Sequence, residues 1–239
     1  ISDKIKQFSL VAAVQEIDGA NLLLEDSTGG TPAHLSKETG ADAKFLLQNE
    51  ICAFVCENTD SGVMVKKIIW PDLPLRKEVK RTEGKIFVIF SPKPLAEIKN
   101  EIPSNIKNIF PIYISGEKIF YEIDSDKKEL YDPCIIDVNG TTVFLSSGRL
   151  LEKYEKIFNT SAARTMLILA RKRNLDPTSP ITASFFLEEV PEIFVANRFG
   201  EPEEVNYKGT TFLSLGSEKS GQAAWIVDLQ SRENVKMIL

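Results

Sequence analysis

Two prolines within four residues, in Ile68-Ile69-Trp70-Pro71-Asp72-Leu73-Pro74, constrain this 239-residue chain more than any other feature. Neither Pro71 nor Pro74 has the N–H that a sheet ladder needs, so the strand that precedes them stops there. The hydrophobic pattern changes at the same point. Before it, short apolar runs alternate with turn residues; from Gly84 onward, continuous apolar runs alternate with helical spacing. A chain broken in this way is expected to form two domains, 1–74 and 83–239. The polar, basic stretch Arg76-Lys77-Glu78-Val79-Lys80-Arg81 reads as a solvated linker between them.

The first part reads as mostly strand. Gln7–Val14 and Asn21–Glu25 pair across the Asp18-Gly19 turn, and Ile51–Cys56 pairs with Val63–Ile69 around Asp60-Ser61-Gly62. A short helix is expected over Ala41–Gln48, with Phe45 and Leu46 inward. Gly29-Gly30-Thr31-Pro32-Ala33-His34 reads as a loop. About five strands with a helix between the third and fourth is the pattern of an OB-type barrel, with a small SH3-like barrel as the alternative.

The second part reads as an α/β sandwich. Buried strands are expected at Lys85–Phe90 and Ile109–Ile114, with a short helix at Leu95–Glu101 between them. Ile135–Val138 and Thr142–Leu145 form a hairpin about Asn139-Gly140. Helices are expected over Leu150–Phe158 and Ala162–Arg173, the latter ending on Arg171-Lys172-Arg173, which suits the helix dipole. Short strands follow at Phe185–Leu187, Ile193–Ala196, Glu204–Tyr207, Thr211–Leu215, Ala224–Asp228 and Asn234–Ile238.

The chemistry is narrowed by a single histidine, His34. Zinc hydrolases and Ser/His/Asp enzymes use imidazole as ligand or base, and His34 has no Cys or second His at ligand spacing. Cys52 and Cys56 lie in an apolar run and read as buried thiols; with Cys134 they suit a reducing compartment. No run of eighteen apolar residues is present, so no membrane span is expected. Net charge is −5, and residues 1–72, with 6 Lys/Arg against 11 Asp/Glu, carry all of it. An acidic barrel repels phosphate backbones, so nucleic-acid contact is expected to be weak or indirect.

Several segments resemble, in order, the small subunit of archaeal D-family DNA polymerase and the B-subunits of eukaryotic replicative polymerases. Ile68 to Pro74 looks like that family's exit from its OB domain. Tyr131-Asp132-Pro133, followed by Val143-Phe144-Leu145-Ser146-Ser147-Gly148-Arg149, resembles its strand and glycine turn. Arg171-Lys172-Arg173-Asn174-Leu175-Asp176-Pro177, Glu188-Glu189-Val190-Pro191-Glu192-Ile193-Phe194, and Tyr207-Lys208-Gly209-Thr210 through Leu215-Gly216-Ser217 resemble its later segments. The resemblance implies an OB barrel followed by a calcineurin-like phosphoesterase domain.

The chain departs from the family's metal-binding pattern. Ser91 and Lys93 stand where that pattern has an Asp-x-His pair, and Ser147 where it has a histidine. Asn197-Arg198-Phe199-Gly200 falls on its Gly-His-x-His element, and Ser115-Gly116-Glu117 is the nearest place to its middle ligands. A two-metal centre needs several carboxylates and imidazoles. The expectation is therefore a chain that is not an enzyme, with no catalytic residue, no metal and no cofactor. Its expected role is an accessory subunit that docks the C-terminal region of a polymerase catalytic subunit within a heteromeric complex and links it to other replication proteins. Such a protein would be cytoplasmic and nucleoid-associated in an archaeon, and nuclear in a eukaryote.

Two other readings compete. A single-strand-binding OB protein would use Phe8, Phe45, Phe54 or Trp70 as stacking platforms. A phosphodiesterase with relocated chemistry would use Glu188-Glu189, Asp124 with Asp126, or Ser146 or Ser147 before Gly148. Glu188 and Glu189, as neighbours in a strand, would face opposite ways, and the serines have no base at hand. For partner contact the candidates are Trp70, Pro71 and Asp72 at the domain exit, with Phe185, Phe186 and Phe199.

Overall fold

The computed structural model describes residues 6–75, 86–123, 126–179 and 185–239. The linker expected at 76–81, together with Asp124, lies outside the described residues. The chain forms two compact units. One comprises Ile1–Leu73 with Ile168–Glu188, the other Pro74–Leu167 with Glu189–Leu239. The units therefore divide a second time, within residues that the sequence reads as part of 83–239.

The first unit is built on β1 (Gln7–Asp18), β2 (Asn21–Asp26), β3 (Gly29–Leu35), β4 (Ile51–Thr59) and β5 (Gly62–Ile69). They close into a barrel of order β1-β2-β3-β5-β4, with β1 and β4 paired from Gln7↔Glu57 to Ala13↔Ile51. Alternation along β1 and β4 sends Ala12, Val14, Cys52, Phe54 and Cys56 inward, where they are buried. Burial of each larger side chain contributes about 1.5–3 kcal/mol.

β3 corrects the loop reading of Gly29 to His34. Pro32 is tolerated because β3 pairs with β5 only from Ala33 to Leu35, so the N–H that Pro32 lacks has no ladder to join on that side. His34 is exposed on this strand, its Nδ1 3.0 Å from Asn21 Oδ1. The helix expected at 41–48 is a 3-10 segment over Lys37–Phe45 instead, interrupted where Gly40 adopts φ +61°. Leu46 is buried as expected, and Phe45 packs against the barrel core. Phe54 is wholly interior and Phe8 packs against the same core, so neither is a free stacking platform.

In the second unit the chain runs β6 (Phe87–Ser91), α1 (Leu95–Ile98), β7 (Ile109–Ser115), β8 (Lys118–Ile123), β9 (Asp126–Leu130), β10 (Cys134–Val138) and β11 (Thr141–Ser146). It continues through α2 (Glu152–Phe158), α3 (Ala162–Arg171, which ends in the first unit), β12 (Ile193–Ala196), β13 (Glu204–Tyr207) and β14 (Thr210–Ser214). It ends with β15 (Gly216–Ser217), β16 (Gly221–Asp228) and β17 (Asn234–Ile238). One sheet has the order β10-β11-β12-β14-β13; the other runs β15-β16-β6-β7-β8-β9, with β17 on β16. Phe90, Ile112 and Val227 from the second sheet share one core with Leu145, Val195 and Leu213 from the first.

Asp126 begins β9 and pairs with Ile123. The strand expected at Phe185–Leu187 is reduced to a single bridge, Asn174↔Phe186. Glu188 and Glu189 lie in an exposed bend and not in a strand.

Candidate functional site

The C-terminal ends of β6, β7 and β12 open, with the turn between β15 and β16, onto one crevice of about 780 Å³ in the second unit. Crevices of this kind, outside the carboxyl ends of strands, are where α/β sheets receive ligands. Lys93 follows β6, Glu117 follows β7, Asn197 and Arg198 follow β12, and Glu155 and Lys156 of α2 complete the wall. The structure thus brings Lys93, Asn197, Arg198 and Gly200 of the sequence candidates to one place.

The loop after β12 is held in a constrained shape. Arg198 has φ +70°, a left-handed conformation that costs a non-glycine residue about 1–3 kcal/mol, and its N–H donates to Gly216 O at 2.9 Å. Its guanidinium lies 3.7 Å from Glu117, which also pairs with Arg149 at 3.0 Å. Asn197 is buried and donates from Nδ2 to Ile114 O at 2.7 Å, while its Oδ1 accepts nothing from the described residues. Burial, then the neighbouring Glu152 charge, raises the Glu155 carboxyl above its ordinary range.

Ser91 and Ser147 do not enter the crevice. Ser91 is buried and accepts from the Lys93 N–H at 3.0 Å. Ser147 is buried too, and a carboxylate does stand beside it: Asp132 accepts from both its hydroxyl and, at 2.8 Å, its N–H. The bonding caps the turn, because Ser147 has no exposed surface. Gly148 turns the chain with φ +87°, where a Cβ would come within 1.9 Å of Asn197 O. Among the described residues no three His, Cys, Asp or Glu side chains group closely enough to hold a metal ion.

The partner candidates separate. Trp70 is buried in the first unit, and its indole N–H donates to Glu50. Lys172, whose side chain is 3% exposed, pairs with the 4% exposed Glu50, donates to Phe45 O at 2.7 Å, and lies 4.6 Å from the Trp70 ring centroid. Burial pushes the Lys172 ammonium below its ordinary range, against the pull of Glu50. The Asp72 N–H donates to Arg171 O at 2.8 Å, and Arg173 Nε donates to Asp72 O at 3.0 Å. Pro71 is exposed and Phe185 half-buried. Phe186 is 53% exposed and lines a small cavity of about 70 Å³ with Trp70, Glu50 and Lys172. Phe199 is a correction: at 2% exposure in the second unit it is a core residue and presents no surface to a partner. Sequence reasoning missed the Glu50–Lys172 pair, since Lys172 sits inside a basic run that already had a reading as a helix terminus.

No family model and no curated protein matches this chain. Solved structures of phosphoesterase-type proteins do. An archaeal phosphodiesterase aligns at 10% identity over 46% of this chain and 52% of its own length, with a TM-score of 0.27. This chain therefore spans about half the length of that protein. A conserved uncharacterized protein of Streptococcus pneumoniae TIGR4, a predicted phosphoesterase, aligns at 10% identity over 66% of this chain and all of its own, TM-score 0.34. Vps29 from Entamoeba histolytica, complexed with zinc, aligns at 11% identity over 64% and 98%, TM-score 0.31.

These matches overturn the expectation that the chain is not an enzyme. The proteins it aligns with include a phosphodiesterase and a predicted phosphoesterase, and nothing in the alignments shows that catalytic residues have been lost. Ser91, Lys93, Ser147, Asn197, Arg198 and Gly200 are therefore not evidence of inactivity. At such TM-scores the likeness carries no argument for a particular reaction. Among the described residues no helix is long and apolar enough to cross a membrane.

Proposed function

We propose that this chain is an assembly subunit of a replicative DNA polymerase, of the B-subunit type, which docks the C-terminal region of the catalytic subunit and links it to other replication proteins. The observation that carries this reading is the first unit: a closed five-stranded barrel of order β1-β2-β3-β5-β4 with a 3-10 segment between the third and fourth strands. That arrangement is the one expected of an OB barrel. Its exit, Ile68 to Pro74, is one of the segments that resemble the family. The acidic balance of residues 1–72 favours protein over nucleic acid as the contact. Co-expression with candidate polymerase and primase subunits, followed by size exclusion, tests the proposal. Co-elution as a stable complex is expected; free elution from every such component would contradict it.

A second reading rests on the crevice. Lys93 and Arg198 at the strand ends suit an anionic ligand such as a phosphoester. Turnover of bis(p-nitrophenyl) phosphate with manganese, lost in Arg198→Ala, would establish it; no turnover and no protection by the ester would set it aside.

A further inference from the structure

The outward face of the barrel about β1 has two halves of different chemistry. Toward β4 and β5 it is mostly apolar: Val11 pairs with Ala53, which pairs with Ile69, and Ala13 pairs with Ile51, with the exposed Lys67 beside Ile69 on the next row. Val11, Ile51 and Ile69 are 64%, 56% and 41% exposed, so three neighbouring aliphatic side chains on one sheet face are left in water. Soluble proteins seldom leave such clusters uncovered without a binding role. Toward β2 and β3 the same face is acidic. Ala13 pairs with Glu25, Glu16 with Leu23, and Asp18 with Asn21. Leu23 and Asn21 pair in turn with Pro32 and His34. Glu16, Asp18, Leu23 and Pro32 line a groove of about 290 Å³, and no Lys or Arg stands in these paired rows.

We infer that this face docks a segment of a partner protein in which an aliphatic block is followed by a Lys/Arg block. The aliphatic block covers Val11, Ile51 and Ile69. The cations lie over Glu16, Asp18 and Glu25, where the apolar surface of Leu23 and Pro32 can pack their methylene stems. Charge selects this occupant over the two others the surface could meet. A nucleic-acid strand would bring phosphates against three carboxylates, and a second copy of this chain would bring the same three carboxylates with only Lys67, beside Ile69 on this face, to answer them. The inference rests on the proposed docking role and names the surface and partner chemistry for it.

The test titrates the whole chain with a labelled synthetic peptide that has a leucine-rich half followed by a Lys/Arg-rich half. Its controls are the same peptide with Glu in place of the cations, a labelled oligothymidine, and sedimentation of the chain alone. Saturable binding of the basic peptide is expected, weakening as salt rises. Val11→Asp with Ile69→Asp should weaken it at least about tenfold, and Glu16→Lys with Asp18→Lys about three- to tenfold. Circular dichroism checks that these surface variants keep the barrel. Equal affinity for wild type and both variants, preference for the Glu peptide or the oligonucleotide, or self-association abolished by Val11→Asp would each overturn the assignment. Co-elution with a polymerase subunit that survives both variant pairs would remove this face and leave the docking role standing. Peptide binding without any such co-elution would do the reverse.

Discussion

The first unit seals an ion pair inside itself, whereas the second keeps the charges of its crevice near the surface. Glu50 and Lys172 are almost wholly buried, with the Trp70 indole N–H donating to Glu50 and the Phe45 carbonyl accepting from Lys172. Around the crevice, Arg198 and Arg149 share Glu117 at 3.7 and 3.0 Å, and all three side chains are about half exposed or more. A buried pair costs desolvation and cannot change partners without leaving an uncompensated charge, so it fixes one arrangement of chain. Exposed pairs contribute little to stability and can exchange a protein partner for a ligand. The contrast assigns the Glu50–Lys172 pair to holding the end of α3 on the barrel, and leaves the crevice groups free to meet a ligand.

Removing one member of the sealed pair is the strongest way to break this contrast. Lys172→Met should destabilise the first unit by about 3–5 kcal/mol, and adding Glu50→Gln should restore part of the loss. Denaturant unfolding followed by Trp70 fluorescence in a Trp225→Phe background reads this out. In the second unit, Gly148→Ala should cost about 3 kcal/mol, because both the positive φ and the Asn197 carbonyl oppose a Cβ. Calorimetry should show a lowered transition for that variant. Trp70→Phe, which takes one donor from Glu50, should cost about 1–2 kcal/mol in the same fluorescence-free calorimetric measurement.

At alkaline pH the buried thiols, Cys56 of the first unit and Cys134 of the second, act with one sign and Lys172 with the other. Burial, then the Asp132 charge, pushes the Cys134 thiol up to about 11 from 9.0. The folded state therefore keeps a proton that the unfolded chain loses. The stability this contributes is full below pH 9 and is lost as pH rises through about 11. Cys134→Ser should flatten that decline in a pH series of unfolding midpoints. Lys172 works the other way: burial holds its ammonium below the ordinary range, the unfolded chain holds more protons, and the stability it contributes rises with pH. The smallest effect belongs to the crevice. Arg198→Ala should change stability by less than about 0.5 kcal/mol, since Glu117 keeps Arg149, while altering anion binding measured by calorimetric titration.

How much was legible depended on whether local chemistry or distant pairing decided the outcome. Asn139-Gly140 specifies its hairpin locally, and both residues adopt the positive φ that such a turn requires, 52° and 81°. Ile193–Ala196, Glu204–Tyr207 and Asn234–Ile238 fall on strands at the expected bounds, because each is a compact run between turn residues. Gly29 to His34 reads as a loop because Gly and Pro punctuate it, and only pairing with β2 and β5 makes it a strand. Asp126–Leu130 was hidden by its charges, which an edge strand carries without penalty. At the crevice, the residues after β6 and β12 were legible from the resemblance. Glu117 was noted without a role, and its pairing with Arg198 and Arg149 spans too much sequence for any spacing rule to find. Phe199 looked like a surface candidate because sequence does not distinguish a core phenylalanine from an exposed one.

The docking role itself is tested most directly by titrating the intact chain with the purified C-terminal region of a replicative polymerase catalytic subunit from the same genome. The account predicts saturable one-to-one binding that weakens with salt and with changes at Val11 and Ile69. Absence of any binding heat across every replicative catalytic subunit of that genome would contradict it.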